Sequence, residues 1–326
     1  MVSRRAWLRM SGCAGAALGL KPGLLEALQG LQSQPLIQRA IPKTGELLPV
    51  IGLGGANTFS EMARREARTE EYDTIGAVLR ALVDGGGSVL DTAYGYGASE
   101  QVSGQVAQEL GIADRIWWAT KVNAARVSGG TSAPADPAEA RYQIQRSFLR
   151  LRVPQVDLFQ VHNMGDPPAQ LALLKELKEL GYVRYIGITT TLEEQYAGLI
   201  DVMRSEPIDF IGIDYTIDSR APEDVIFPLA LEREIGVLAY MPFGRGRMWA
   251  RLGDRPLPDW AAEFDAHSWA QFMLKFVVAH PAVTVACPGT SDPAHMADNL
   301  GAGRGRIPNP DQLDRMIRLA DSLPAA

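Results

Sequence analysis

Asp91, Tyr96, Lys121 and His162 are the residues of this sequence whose types and placement suit acid–base chemistry on a small molecule. Asp91 and Tyr96 lie in Ser88–Glu100, Ser-Val-Leu-Asp-Thr-Ala-Tyr-Gly-Tyr-Gly-Ala-Ser-Glu. Small and apolar residues run into the acid, and glycines on either side of Tyr96 allow a turn that aims the phenol into a cleft. Lys121 ends Trp-Trp-Ala-Thr-Lys, and His162 ends Leu-Phe-Gln-Val-His. Each has a plainer reading: a turn-capping acid, a packed or solvent-facing phenol, a solvated rim lysine, a histidine with a backbone partner. Together they are harder to dismiss, because ionisable groups that end apolar strands need mutual partners to offset desolvation.

Such a group forms only if several strand ends face one way. From about Ile41 the chain alternates short apolar runs with longer amphipathic ones, the pattern of βα units around a parallel sheet. Strands are predicted at Val50–Leu53, Ser88–Asp91, Ile116–Thr120, Val156–Val161, Tyr185–Ile188, Phe210–Asp214, Val237–Tyr240 and Thr284–Ala286. Helices are predicted near 70–84, 99–110, 136–151, 168–180, 192–204, 222–234, 267–280 and 293–299, with a last one near 310–322. Asp136-Pro137 opens the third helix, and Gly181 and Gly236 close the fourth and sixth. Eight units over roughly 280 residues match an α/β fold of the (β/α)8 TIM-barrel type, in which the carboxyl ends of all strands line one mouth. A doubly wound sheet is the rival, but Gly52-Leu53-Gly54-Gly55 and Gly85-Gly86-Gly87 lack the strand, glycine and helix context of a dinucleotide fingerprint.

The chain has 326 residues, 46% hydrophobic and 21% charged, enough for a sizeable core. A net charge of −6 offers no basic field for nucleic acid. Cys13 and Cys287 are far apart and give no disulfide framework. The histidines at 162, 267, 280 and 295 have neither His-x-x-x-His spacing nor cysteine companions, so no metal site is expected. Residues 3–9, Ser-Arg-Arg-Ala-Trp-Leu-Arg, precede an uncharged run from Met10 to Leu20 that is too short to span a bilayer. The arrangement resembles a twin-arginine export signal. The expected organisation is a leader over 1–34 and one barrel domain over 35–326, with the export machinery as a partner and no stable membrane span in the mature form. The expected location is the periplasm or another exported site, and the cytoplasm if the leader does not function.

The sequence resembles the aldo-keto reductases over about residues 40–305. Their Asp-Thr-Ala-x-x-Tyr-Gly, Thr-Lys and strand-four His motifs stand here as Asp91-Thr92-Ala93-Tyr94-Gly95-Tyr96-Gly97, Thr120-Lys121 and His162. The resemblance implies a metal-free, nicotinamide-dependent reductase of aldehyde or ketone carbonyls, with Tyr96 rather than Tyr94 as the acid. A phenol of ordinary pKa, about 10, is a poor donor near neutrality, and the Lys121 ammonium would ease the transfer. Asp91 would keep Lys121 charged, and His162 would orient the carbonyl or share the proton.

For the cofactor, the resemblance implies Gly54, Thr189, Thr190, Tyr240, Pro242, Gly244, Gly289, Thr290, His295, Asp298 and Asn299. Thr189 and Thr190 take the place of a Ser-Asn pair that looks like the holder of the nicotinamide amide. Gly212 stands where many relatives have Gln. Tyr240 would form an aromatic floor for the nicotinamide ring, and Gly244-Arg245-Gly246-Arg247 would approach the pyrophosphate. Pro288 to Asn299 resembles an adenosine-phosphate clamp, with Gly289 and His295 where many members have Lys and Arg. That loss weakens the hold on a 2′-phosphate. NADPH is the expected cofactor, and NADH remains open. Two other functions fit parts of the pattern: a Schiff-base lyase using Lys121, and a cofactor-binding barrel with little turnover that serves as a sensor or interaction module.

Overall fold

Strands covered on both faces read as near-continuous apolar runs, and the eight runs of this chain assemble into one parallel sheet. The computed structural model describes residues 34–325 except 57–58, 60–68, 126, 129–130 and 133. Nearly all of the expected leader lies outside the described residues, as do parts of the loops after the first and third predicted strands. A compact unit spans Leu36–Ala326. Its strands are β1 (Gln38–Ala40), β2 (Leu47–Pro49), β3 (Leu53–Gly54), β4 (Val89–Asp91), β5 (Trp117–Val122), β6 (Val127–Ser128), β7 (Thr131–Ser132), β8 (Val156–Val161), β9 (Val183–Thr190), β10 (Phe210–Asp214), β11 (Gly236–Tyr240) and β12 (Val283–Cys287). The order β3-β4-β5-β8-β9-β10-β11-β12 is parallel throughout. A parallel bridge from Ile51 to Ala286 closes the ring, and Gly52 and Gly54 donate their N–H groups to the Ala286 and Pro288 carbonyls, each at 2.9 Å. The result is the (β/α)8 barrel that the alternation predicts.

Helices Thr69–Asp84, Ser99–Glu109, Pro137–Leu151, Pro167–Glu179, Tyr196–Ser205, Ile226–Glu232, Trp269–Ala279 and Pro293–Gly301 follow the eight strands, and Pro310–Asp321 comes last. Asp136 caps the third by accepting the Ala138 N–H at 2.9 Å with Pro137 behind it, as the Asp-Pro pair indicates. The β1–β2 and β6–β7 hairpins and the helix Arg247–Leu252 were not foreseen, because elements of two to six residues leave no periodicity to detect. Among the described residues, no helix is long and apolar enough to cross a membrane.

Side chains alternate along a strand, so every second residue points into the barrel. Trp117, Tyr185 and Phe210 form the floor, with ring centroids 5.7–6.0 Å apart. Ile41 and Leu48, from the β1–β2 hairpin, pack into the same buried cluster and seal the lower end. Glu46, on that hairpin, accepts hydrogen bonds from Arg184 and, at 2.6 Å, from the Tyr185 hydroxyl. Above the floor the same parity brings up Lys121, Gln160, Thr189, Gly212 and Tyr240.

The helices Ser99–Glu109 and Pro137–Leu151 touch at Gly104, where a Cβ would lie 2.4 and 2.5 Å from the Arg150 and Leu151 carbonyl oxygens. Gly104→Ala is therefore expected to lower stability by about 1–3 kcal/mol in urea unfolding through overpacking. A midpoint equal to the wild type's would show that these helices can part at no cost.

Candidate active site

Asp91 ends β4 and Lys121 lies near the end of β5. The register sets Asp91 beside Ala119, and Lys121 is two residues further on the same face. Both are buried, and the Lys121 amine donates to Asp91 Oδ2 at 2.5 Å and to the Thr92 carbonyl at 2.8 Å. Tyr96 lies in the turn after β4, and the Lys121 nitrogen is 4.9 Å from its ring centroid. The Tyr96 hydroxyl is 3.5 Å from His162 Nε2, and the two rings meet edge to face at 82°. All four predicted residues therefore meet at one mouth. To the phenol, Lys121 offers a nearby charge rather than a direct hydrogen bond.

Two further residues complete the group. Tyr240 donates its hydroxyl to Asp91 Oδ1 at 2.9 Å, and Gln160 Nε2 reaches the Tyr240 oxygen at 3.1 Å and Asp91 Oδ1 at 3.4 Å. Gln160 was missed, although a signal exists: it is polar within an apolar strand and two residues before His162, hence on the same face. The loop after β8 is held in left-handed backbone at Asn163 (φ 52°), Met164 (φ 55°) and Asp166 (φ 46°). Asn123 Nδ2 donates to the His162 carbonyl at 2.9 Å, and Asp166 Oδ2 accepts the Ala135 N–H at 2.7 Å. These bonds fix the strained loop and with it the imidazole.

Burial pushes the Asp91 carboxyl up, opposed by the Lys121 charge and by hydrogen bonds from Lys121, Tyr240 and Gln160. Burial, the largest single influence, would lower Lys121, but the Asp91 charge and hydrogen bond together with the Tyr96 and Cys287 side chains outweigh it and hold the ammonium above its ordinary value. The proton of the pair therefore resides on the amine. Burial, and then the Lys121 charge, push His162 down to about 3, so its imidazole is neutral near pH 7. Burial and the Asp91 charge keep Tyr240 a phenol.

The residues expected to serve a dinucleotide lie at the carboxyl ends of β3, β9, β11 and β12 or just beyond, on the rim that carries the acid–base group. The Thr189 hydroxyl accepts the Asn163 N–H at 3.1 Å, which leaves its own hydrogen available to donate. The Thr190 hydroxyl is committed elsewhere, donating to Gln195 Oε1 at 2.5 Å and accepting the Leu192 N–H at 3.1 Å. The Tyr240 hydroxyl is engaged by Asp91 and Gln160, a contact that the expectation of a stacking floor did not include. Pro242 and Gly244 follow in the turn before Arg247–Leu252. Arg247 is paired with Asp218 at 2.9 Å, which leaves Arg245 as the cation of that turn.

Gly54 and Gly289 lie close together where the ring closes. Thr290 accepts the Asp292 N–H at 3.1 Å ahead of the helix Pro293–Gly301. His295 is exposed, 4.0 Å from Asp292. Asp298 accepts from Ser268 and Gln271, each at 2.7 Å, and Asn299 is buried. The donors fit a dinucleotide at its carboxamide and backbone-facing parts, whereas a 2′-phosphate meets no lysine or arginine among these clamp residues. Among the described residues, no group of three or more His, Cys, Asp or Glu side chains is placed to hold a metal.

A parallel eight-stranded barrel with ionisable groups gathered at its carboxyl mouth defines the class of protein, and comparison with known proteins gives the family. The model of the aldo/keto reductase family matches residues 50–316, and the chain belongs to that family. Aldo-keto reductase YhdN of Bacillus subtilis (strain 168) is 30% identical over 220 residues, which cover 65% of this chain and 64% of that relative, just under two thirds of its length. Among solved structures, aldo-keto reductase AKR11C1 from Bacillus halodurans (holo form) superposes with a TM-score of 0.66 at 24% identity, covering 89% of this chain and 97% of that one. An aldo-keto reductase from Klebsiella pneumoniae in complex with NADPH gives a TM-score of 0.69 at 23% identity, covering 87% and 96%. At such identities these two are likenesses of fold.

The neutral His162 has a consequence for stability. An imidazole in the unfolded chain titrates near 6.5, while that of the folded protein titrates at about 3. Between those values the unfolded state binds the extra proton, so stability falls as the pH is lowered through the window. In His162→Gln the urea midpoint is expected to drop less than the wild type's between pH about 6.5 and about 4. Equal acid sensitivity in the two proteins would rule out a buried, neutral imidazole.

Proposed function

We propose that this protein is an NAD(P)H-dependent oxidoreductase that reduces aldehyde or ketone carbonyls to alcohols. The observation that carries the reading is the Tyr96 hydroxyl beside His162 Nε2 at 3.5 Å, over the buried Lys121–Asp91 pair. A reduced nicotinamide, when bound, supplies hydride to the carbonyl carbon. Tyr96 gives its proton to the carbonyl oxygen. The Lys121 ammonium offsets the negative charge left on the phenol, and Asp91 keeps that ammonium in place. His162, being neutral, orients the carbonyl by hydrogen bonding rather than by charge. Thr189 would hold the carboxamide, the Gly244–Gly246 turn with Arg245 would serve the pyrophosphate, and Gly54, Gly289, Thr290 and Asn299 would serve the adenosine side. NADPH is the cofactor we assign, supported by the complex of the Klebsiella relative. A Schiff-base lyase would need Lys121 as a free amine, and the ammonium held by Asp91 opposes it.

Tyr96→Phe is expected to lower kcat for aldehyde reduction by about 100-fold or more while NADPH still binds, as read by fluorescence titration. Turnover at the wild-type rate would refute the assignment.

The Arg4-Arg5 pair and the uncharged run behind it support export to the periplasm, with the fold completed around the cofactor beforehand. Replacing both arginines by lysine is expected to retain the unprocessed chain in the cytoplasmic fraction. Unchanged export of that variant would count against the leader.

A further inference from the structure

The geometry points to Tyr240 as a positioning residue that acts through Asp91 on the Lys121 ammonium, its phenol admitted to the barrel interior by the missing side chain at Gly212. This inference rests on the carbonyl-reductase reading and assigns Tyr240 a task other than forming a flat floor for a bound ring.

Three observations carry it. First, the Tyr240 hydroxyl donates to Asp91 Oδ1 at 2.9 Å, while Lys121 occupies Oδ2 at 2.5 Å. Each carboxylate oxygen thus has its own donor, one from β11 and one from β5. Second, Gly212 makes the room. Built at that position, a Cβ would lie 2.3 Å from Tyr240 Cε2 and 2.6 Å from both Cζ and the hydroxyl oxygen. No other residue at 212 leaves the ring where it is. Third, the Lys121 nitrogen lies between two aromatic rings, 4.9 Å from the Tyr96 centroid and 5.0 Å from the Tyr240 centroid. An ammonium facing two π systems is steered as well as stabilised, so the inner ring helps to set where the charge stands beneath the outer one.

Gln160 ties the arrangement together by donating to Tyr240 and Asp91. The other groups that face Asp91 leave its hydrogen bonds intact: Cys287 on β12 is a buried thiol, His162 beyond β8 is neutral, and β3 brings Leu53 and Gly54. Tyr240 is thus the donor that a single oxygen atom can remove. Without it, Asp91 is a poorer carboxylate, protonates at higher pH and releases Lys121 from its station.

Tyr240→Phe keeps the ring and deletes the hydroxyl. The expected result is kcat about 10-fold lower, as for loss of a hydrogen bond to a charged group, with KM and the NADPH dissociation constant within about twofold. The acid limb of the kcat profile moves to higher pH by about half a unit or more. Incorporation of 3-fluorotyrosine at 240, a stronger donor of nearly the same shape, moves that limb to lower pH and keeps the test open should the phenylalanine variant fold poorly. A wild-type kcat and pH profile in both proteins overturns the inference. So does a Tyr240→Leu variant, which lacks the ring, if it loses NADPH affinity while kcat holds, since that is the mark of a stacking floor. The bond itself is read without turnover by ultraviolet resonance Raman difference spectra of the cofactor-free protein. The donor signature of Tyr240, given by wild type minus Tyr240→Phe, is expected to vanish in Asp91→Ala, and a signature that persists overturns the bond. If wild type reduces no carbonyl with either cofactor while the Raman signature stands, the reductase reading has failed and the contact has not.

Discussion

A lysine and an aspartate share the dry interior of this barrel, and much of the remaining structure can be understood as what makes that tolerable. Moving either charge out of water costs several kcal/mol, and the attraction between them repays this only when the leftover donors and acceptors are also satisfied. Here the accounts are settled by neighbours from separate strands. The Thr92 carbonyl takes a second ammonium hydrogen, and Tyr240 and Gln160 address the free carboxylate oxygen. None of these partners is useful unless β4, β5, β8 and β11 are in register. The pair therefore makes barrel geometry a condition of its own survival, and the barrel in turn holds a permanent charge beneath a half-buried phenol.

The rim divides into two arcs. β4, β5 and β8 supply the groups suited to moving protons, with Lys121 and Asp91 locked by short contacts. β9, β11, β12 and β3 supply hydroxyls, glycines and turns, several already employed in shaping loops: Thr190 folds the segment after β9, and Asp298 pins the start of the helix Trp269–Ala279. The strained backbone after β8 belongs to the first arc, and three consecutive or nearly consecutive left-handed residues persist there because side chains from elsewhere fasten them.

Much of this was legible in the chain. Alternating short apolar and long amphipathic runs give a barrel because eight βα units have few other ways to cover both faces of a sheet, and Asp91, Lys121 and His162 stand out as ionisable endings of apolar strands. Gln160 was open to the same parity argument and was passed over. The Tyr240–Asp91 bond was not legible at all. It joins residues 149 positions apart and depends on an absence, the side chain that Gly212 lacks, so neither end announces the other. The hairpins and the helix Arg247–Leu252 escaped for a simpler reason: they are too short for a period to repeat often enough to be read. The job of Thr190 was hidden too, because a hydroxyl near a strand end reads alike whether it serves a ligand or its own loop.

The floor of Trp117, Tyr185 and Phe210, with Ile41 and Leu48 beneath, makes the cylinder a blind-ended vessel. Water and protons reach the buried pair by way of the open rim. A molecule seated at that rim would therefore cover the buried pair on the side that the floor leaves open.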